Sequence, residues 1–377
     1  MKKNKCCIFH IPNHISMEAA SGSNIRPRKM LEAFQENGYE VDYIMGYGKE
    51  RKEQIEAIKK KILSGKKYDF LYSESSTMPT LLTEKNHIPM YPTLDFGFMK
   101  FCKSRGIRIG LFYRDIHWKF EKYQKDVPWY KKIPAVFMYK YDLKMYKKIV
   151  DVLYLPSKQM EKQIEEFKIT DIKVLPPGAV KKEGIIEKRK KYFEKRKQDM
   201  LRIFYVGGVQ GIYDLTGILK AVQKREYTYL TICCRKNEWE KEKDKYKQYL
   251  TERVQIVHET GKELLQYYLE SDICNCYFPN SEYMDFAVPI KLLEYTTYVT
   301  PVIATKGTEA GNFVEKFQNG FSISYGEKSV EALFDFIEEN PQILLEKHQK
   351  AIECLEQNTW KQRAYQVEKD LSSKNNY

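Results

Sequence analysis

Short apolar runs, flanked by glycine, serine or proline and too brief for buried helices, recur along this chain and constrain its fold more than any other feature. The first, Cys6 to Ile11, leads into a polar loop containing Ser21-Gly22-Ser23. A helical pattern follows from Arg26 to Asn37, with Met30, Leu31 and Phe34 on one face. It stops at Gly38, where a left-handed C-cap fits. Tyr39 to Ile44 then reads as a second strand. Strand, loop, helix, glycine, strand is the order of a βαβ unit, which requires a parallel sheet covered by helices.

The pattern repeats at Tyr68 to Tyr72, Ile107 to Phe112 and Val152 to Pro156. Ser157 is expected to cap the helix after the last of these. Val174-Leu175-Pro176-Pro177-Gly178 closes the first series, because two prolines and a glycine end regular structure. Lys181 to Met200 is charged and poor in apolar residues, and is expected to connect two domains. A second series then starts with Leu201 to Val206, a tight turn at Gly207-Gly208, and a helix from Leu215 to Val222. Leu230 to Cys234, Val254 to Val257, Ile273 to Cys276 and Val302 to Ala304 supply further strands. The expected fold class is therefore α/β, with two Rossmann-like doubly wound domains facing across a cleft. The first spans residues 1–178 and the second 179–358. In such sheets ligands sit at the carboxyl ends of the strands.

A length of 377 residues suits two such domains. Lysine and arginine number 64 against 51 acidic residues, a net charge of +13. That excess favours anionic partners: nucleic acid, acidic lipid surfaces or phosphorylated small molecules. The eight cysteines include no CxxC pair, and several lie in strand-like runs, which predicts reduced, buried thiols and a cytoplasmic protein. The apolar run after the N-terminal lysines is broken by His10 and Pro12 and reads as a strand, not a signal peptide. No window approaches the roughly 20 apolar residues of a membrane span. The expectation is a soluble chain, at most lying on the inner face of a membrane.

The most informative segment runs from Tyr283 through Asp285, Phe286, Pro289, Lys291 and Glu294 to Tyr295, followed by Thr300-Pro301-Val302-Ile303-Ala304-Thr305. Lys291 and Glu294 stand three apart near the start of a helix, hence on one face. A helix N-terminus favours phosphate through its free amides and dipole. Lys291 adds a cation, and Glu294 can accept two hydrogen bonds from a ribose diol. Phosphate, lysine and a diol-binding carboxylate together describe a nucleoside diphosphate. A lysine and glutamate at this spacing are more usually a solvated pair; the proline-led strand that follows favours a site.

From Asp285 to Glu294, with the Pro-Val-Ile-Ala strand after it, the chain resembles the donor-binding signature of GT-B-fold retaining glycosyltransferases, the group 1 or family 4-like enzymes. Further markers are the Gly22 loop, the Ser157 helix, Pro176-Pro177-Gly178, Tyr205-Val206-Gly207-Gly208 and Thr359-Trp360. The resemblance implies transfer of a sugar from a UDP- or GDP-sugar to a glycan or lipid-linked acceptor, in polysaccharide or glycolipid assembly. Glu294 would bind the donor ribose, Lys291 would lie by the diphosphate, and Thr308, Glu309, Ala310 and Gly311 would offer backbone amides to the donor sugar. Tyr283, Gly207, Gly208 and His258 join this donor set, and Gly22 and Ser23 the acceptor side. The resemblance also implies a final segment, residues 359–377, that crosses back onto the first domain.

Several positions depart from the family pattern. Many members carry two carboxylates eight apart; here the earlier position is Phe286, preceded by Asp285. Where many carry Arg and Lys after the strand that opens the second domain, this chain has Gly208 and Asp214, and Arg235 is the nearest substitute. Where relatives have a catalytic-loop histidine, this chain reads Tyr113-Arg114-Asp115-Ile116-His117. Arg114, Asp115 and His117 are the catalytic candidates; the alternatives are an Arg114–Asp115 ion pair and a surface histidine. His258 beside Glu259 reads as a structural or base-edge contact. No Asp-x-Asp motif occurs, so no metal or other cofactor is expected.

Between His117 and Asp151 aromatic residues, among them Trp118, Trp129, Tyr130, Phe137 and Tyr139, alternate with lysines such as Lys131, Lys132, Lys140 and Lys144. Two readings stand. This segment docks on an anionic membrane, or its aromatics fill the first domain's core while the lysines are solvated. Two other functions share these features: a nucleotide-sugar epimerase of the same fold, and a basic nucleic-acid-binding protein. Turnover of donor without acceptor would mark the first. An RNP-like, zinc-finger or helix-turn-helix signature would mark the second, and none stands out.

Overall fold

The computed structural model describes residues 5–15 and 22–372, which divide into two units: residues up to Pro177 together with those from Trp360, and Gly178–Thr359. In the first unit six strands, β1 (Lys5–His10), β2 (Tyr39–Ile44), β3 (Phe70–Glu74), β4 (Arg108–Phe112), β5 (Val152–Leu155) and β6 (Ile172–Val174), form one sheet ordered β2-β1-β3-β4-β5-β6. Every pairing is parallel. Both faces are therefore covered by helices, which is why β3 and β5 are buried at every position. Phe34, from the helix Gly22–Glu36, packs on Phe70 and Tyr72 with ring centroids 5.5 and 5.3 Å away.

The second unit repeats the design. Its strands are β7 (Leu201–Val206), β8 (Thr228–Cys233), β9 (Val254–Val257), β10 (Ile273–Cys276), β11 (Val302–Thr305) and β12 (Gly320–Ile323), ordered β12-β11-β10-β7-β8-β9 and again all parallel. Read from β9, this is the doubly wound order in which the progression of strands across the sheet reverses between the first and fourth strands of the set, here β7 and β10. In the first unit the reversal falls between β1 and β3. At each reversal the connecting helices leave on opposite faces and a crevice opens at the strand ends.

Three expectations change. Lys181 to Met200 is not a bare connection: Ile185–Lys195 is a helix whose Ile185 and Phe193 join the second unit's core. Its apolar residues are few but share one face, which a composition count hides. Ser157 does not cap a helix, because the segment after it forms only the short turn Gln159–Lys162, and the buried Ser157 hydroxyl has no partner among the described residues. The aromatic segment splits. Trp118, Tyr139 and Tyr146 are buried, whereas Trp129, Tyr130 and Phe137 are exposed. All eight cysteines are buried, and no disulfide joins them among the described residues.

The helix Trp360–Ser372 packs within the first unit, against the helix Gly22–Glu36 and strands β3 and β4. Arg108 Nη1 donates to the carbonyls of Asp370 and Leu371 at 2.8 and 3.0 Å, satisfying acceptors that a helix end leaves open. Gly110 in β4 is required by this approach: a Cβ there would stand 2.9 Å from Leu371 and 2.8 Å from Tyr154. Leu371 is buried, so Leu371→Ala removes core volume. It is expected to cost the first unit about 2–5 kcal/mol, measured as earlier urea-induced exchange of the β4 amides with the second unit's amides unchanged.

Candidate active site

Lys291 is the second residue of the helix Ile290–Thr297, which follows Pro289 and lies directly after the loop leaving β10. Pro289 presets the backbone for a helical start and takes no donor from the first turn. Lys291 Nζ donates to the Tyr205 hydroxyl at 2.9 Å and stands 4.5, 3.8 and 4.9 Å from the ring centroids of Tyr205, Tyr213 and Phe278. Tyr205 closes β7 one residue before its end, and its hydroxyl donates to the Gly208 carbonyl. Gly207 has φ +145°, and a Cβ there would meet Lys291 Nζ at 2.8 Å. Glycine is thus fixed both by backbone angle and by the ammonium resting against it. No carboxylate lies within ion-pair distance of Lys291 among the described residues, and burial lowers its pKa to about 8.

One turn on, Glu294 is half-buried and makes no ion pair among the described residues. Burial raises its pKa; the adjacent Tyr268 hydroxyl and, at longer range, Lys182 and Lys291 act in the opposite direction. Tyr268 stacks on Tyr298 with centroids 4.0 Å apart, and Lys182 Nζ donates to the Tyr298 hydroxyl at 2.6 Å. The Tyr268 hydroxyl is buried without a well-formed hydrogen bond. Lys291 therefore stands where β7 and β10 end, at the reversal of the sheet, with Glu294 one helical turn on and the Tyr268 hydroxyl beside that carboxyl.

The other donor candidates divide. Gly207 and Gly208 join the Lys291 group through Tyr205. Thr308 caps the helix Glu309–Phe317: its hydroxyl accepts from Gly311 N–H at 3.1 Å and donates to the Thr305 carbonyl at 2.6 Å. Most of the backbone amides in this turn are committed within the chain. Thr308 N–H donates to Thr305 and Glu309 N–H to the Met284 carbonyl, at 3.3 and 3.0 Å, leaving Ala310 as the turn's amide without an acceptor among the described residues. The Glu309 carboxyl is half-buried, and burial raises its pKa to about 7. Phe286 is buried and meets Tyr283 edge-on at 5.2 Å, while Asp285 is exposed. Arg235 does not join: its side chain is 81% exposed and pairs with Glu238 at 2.7 Å. His258 Nδ1 is 2.8 Å from the Cys234 carbonyl, an arrangement that ties β9 to the β8 exit.

The first unit has its own cluster at the ends of β3 and β4. Glu74 is fully buried and lies between Arg26 Nε at 3.3 Å and Arg114 Nη2 at 3.1 Å, with the Tyr72 hydroxyl donating to it at 3.0 Å. Arg114 thus pairs with Glu74. Asp115 turns elsewhere, accepting from Ile116 and His117 N–H at 2.7 and 3.0 Å, with His117 Nδ1 3.6 Å away. His117 Nε2 lies 3.3 Å from the Tyr139 hydroxyl. Gly22 and Ser23 form the first residues of their helix; Ser21 and the preceding residues 16–20 lie outside the described residues. Tyr213, Tyr268, Glu74 and Arg26 carry no site signal in the sequence, and Tyr205 stands there only as part of the Tyr205–Gly208 marker. Tyr205 and Tyr268 sit in apolar runs where a tyrosine reads as core, and only the fold shows that the Tyr205 hydroxyl meets Lys291 and the Tyr268 hydroxyl lies beside Glu294.

Residues 186–355 match the family model described as Glycosyl transferases group 1. No curated protein matches the chain in sequence. Among solved structures, the chain is similar to sucrose-phosphate synthase from Thermosynechococcus elongatus at 16% identity and a TM-score of 0.58, covering 96% of this chain and 97% of that one. A glycosyltransferase from Rickettsia africae gives 14% identity and a TM-score of 0.62 over 99% and 100% of the two chains. Anabaena HepE, solved with UDP and glucose, gives 10% identity and a TM-score of 0.57 over 97% and 99%. At these identities the likeness concerns the fold, which is that of GT-B glycosyltransferases.

The lowered Lys291 pKa has a defined sign. Unfolded lysine titrates near 10.5, so folding gains as pH rises from about 8 to 10.5 and the folded state sheds an unpaired buried charge. An anion that pairs with the ammonium is favoured in the opposite direction. Calorimetric affinity for an anion seated against the ammonium, tested with inorganic pyrophosphate, is expected to fall by up to about tenfold per pH unit above pH 8, and to lose that slope in Lys291→Met.

Proposed function

We propose that this chain, whose second unit carries a glycosyl transferases group 1 domain, transfers a sugar from a nucleoside diphosphate donor to a glycan or lipid-linked acceptor, with retention of anomeric configuration and without a metal. The observation that carries this reading is the unpaired Lys291 ammonium at the β7–β10 reversal, with Glu294 one helical turn away. A departing diphosphate develops negative charge on its bridging oxygen. Lys291 and the first-turn amides of its helix stabilise that charge without reorganising, as a preorganised electrostatic site does. Glu294 accepts from the ribose hydroxyls, with the Tyr268 hydroxyl beside its carboxyl. Positive charge from the protein itself serves the role a divalent ion has in other transferases, which is the support for a metal-independent reading.

Retention requires attack on the face the leaving group vacates. That reading is supported by the family resemblance, and no covalent intermediate is part of it. In the first unit, Arg114, Asp115 and His117 remain the catalytic candidates, with Arg114 held by Glu74 and His117 Nε2 near the Tyr139 hydroxyl. Surface polysaccharide or glycolipid assembly in a bacterial cytoplasm is the setting that suits such an acceptor.

HepE is solved with UDP and glucose, which makes uridine nucleotides the first ligands to try. In a thermal-shift panel, UDP- or GDP-sugars are expected to raise the melting temperature; a ligand at 100 times its Kd adds about 2.7 kcal/mol. Glu294→Ala and Lys291→Ala should each remove most of that shift while the ligand-free melting temperature stays close to the parent's. A shift that survives both substitutions would place the donor elsewhere.

A further inference from the structure

The helix Trp129–Ile149 presents one continuous outward face whose chemistry changes along its length. In its first two turns Trp129, Tyr130, Ile133 and Phe137 are 69, 59, 61 and 65% exposed. Further along, the same face carries Lys140, Lys144, Lys147 and Lys148, all exposed. Spacings of three and four put these residues on a single stripe. The opposite face, with Ala135, Tyr139, Leu143 and Tyr146, is buried in the first unit and anchors the helix. Its one acidic residue, Asp142, points inward and accepts from Thr80 N–H at 2.7 Å.

None of the helix's six lysines, these four with Lys131 and Lys132, makes an ion pair among the described residues. That distinguishes them from exposed lysines such as Lys243 and Lys350, which pair with Glu240 and Glu353 one turn away. The flanking acidic side chains are Glu121 and Asp126 on the short preceding helix, where Glu121 pairs with Lys125, and Asp151 just after the helix, which pairs with Lys103 at 3.4 Å. The face is thus a hydrocarbon and aromatic tip continuous with an unneutralised cationic row. Two copies of it laid together would set lysine against lysine or lysine against hydrocarbon. Among the described residues no helix is long and apolar enough to cross a membrane.

We infer that this face docks the first unit on an anionic phospholipid bilayer, with Trp129, Ile133 and Phe137 entering the interfacial region and the lysines lying against the headgroups. Aromatic and branched side chains partition into that zone, and each nearby lysine adds attraction to an acidic surface that salt screens. The inference rests on the surface of the first unit and stands apart from the donor chemistry of the second.

The test is co-sedimentation of the full chain with phosphatidylcholine vesicles with and without phosphatidylglycerol, at low and high salt. The parent should pellet with the acidic vesicles at low salt. Its fluorescence should shift to the blue, because Trp129 is the exposed tryptophan while Trp118, Trp239 and Trp360 are buried. A Trp129→Ser/Ile133→Ser/Phe137→Ser variant and a Lys140→Gln/Lys144→Gln/Lys147→Gln variant should each lose about tenfold or more in vesicle affinity, with UDP-induced thermal shift retained as the check on folding. No pelleting at low salt overturns the inference, as does pelleting that neither variant reduces. Self-association lost in the apolar variant would instead assign the face to a second copy. Retention of a single-stranded oligonucleotide in preference to acidic vesicles would assign it to nucleic acid.

Discussion

An ammonium group withdrawn from water with no carboxylate beside it is the interaction on which the second unit is arranged. Lys291 is accommodated by the Tyr205 hydroxyl and by three aromatic faces, contacts that soften desolvation without cancelling charge. The strain of keeping it there fixes its surroundings. Gly207 cannot carry a side chain, Tyr205 must reach the end of β7, and Pro289 must start the helix at that depth. An ion pair would be more comfortable and would leave nothing for an incoming diphosphate to gain.

The first unit handles buried charge in the opposite way. Arg51 forks onto Asp95 at 3.0 and 3.1 Å, Asp95 holds His10 Nε2 at 2.9 Å, and His10 Nδ1 meets Ser73 at 2.8 Å. Each group in that chain has partners, and it crosslinks β1, β3 and the helices Gly48–Leu63 and Leu94–Ser104. Such a network fastens the sheet at its reversal point. The Glu74 cluster beside it sets two guanidiniums on one buried carboxylate. Both units place their polar groups where the strand order turns, because elsewhere in a doubly wound sheet helices cover the strand ends.

Much of this was legible from residue order. Strands β2, β7, β9 and β10 fall where short apolar runs and their turn-forming flanks put them, and the fully buried β10 leaves least freedom in composition. That Lys291 and Glu294 stand one turn apart on one helix was legible because helical spacing is local. What could not be read depends on contacts distant in sequence. Arg114 pairs with Glu74 rather than with its neighbour Asp115 because β3 and β4 are adjacent in the sheet, and Arg235 points outward because Glu238 claims it. Tyr205 and Tyr268 gained their meaning only from where their strand and helix end. The helix Ile185–Lys195 was hidden because its core contacts come from few residues.

The return of the helix Trp360–Ser372 to the first unit makes the second an insertion within it. During synthesis the ribosome therefore releases all of Gly178–Thr359 while strand β4 still lacks Leu371 and the apolar bed around Gly110 is open to water. Domains generally fold as units while the chain emerges. The inserted half can then mature first, and the half begun earliest is finished last.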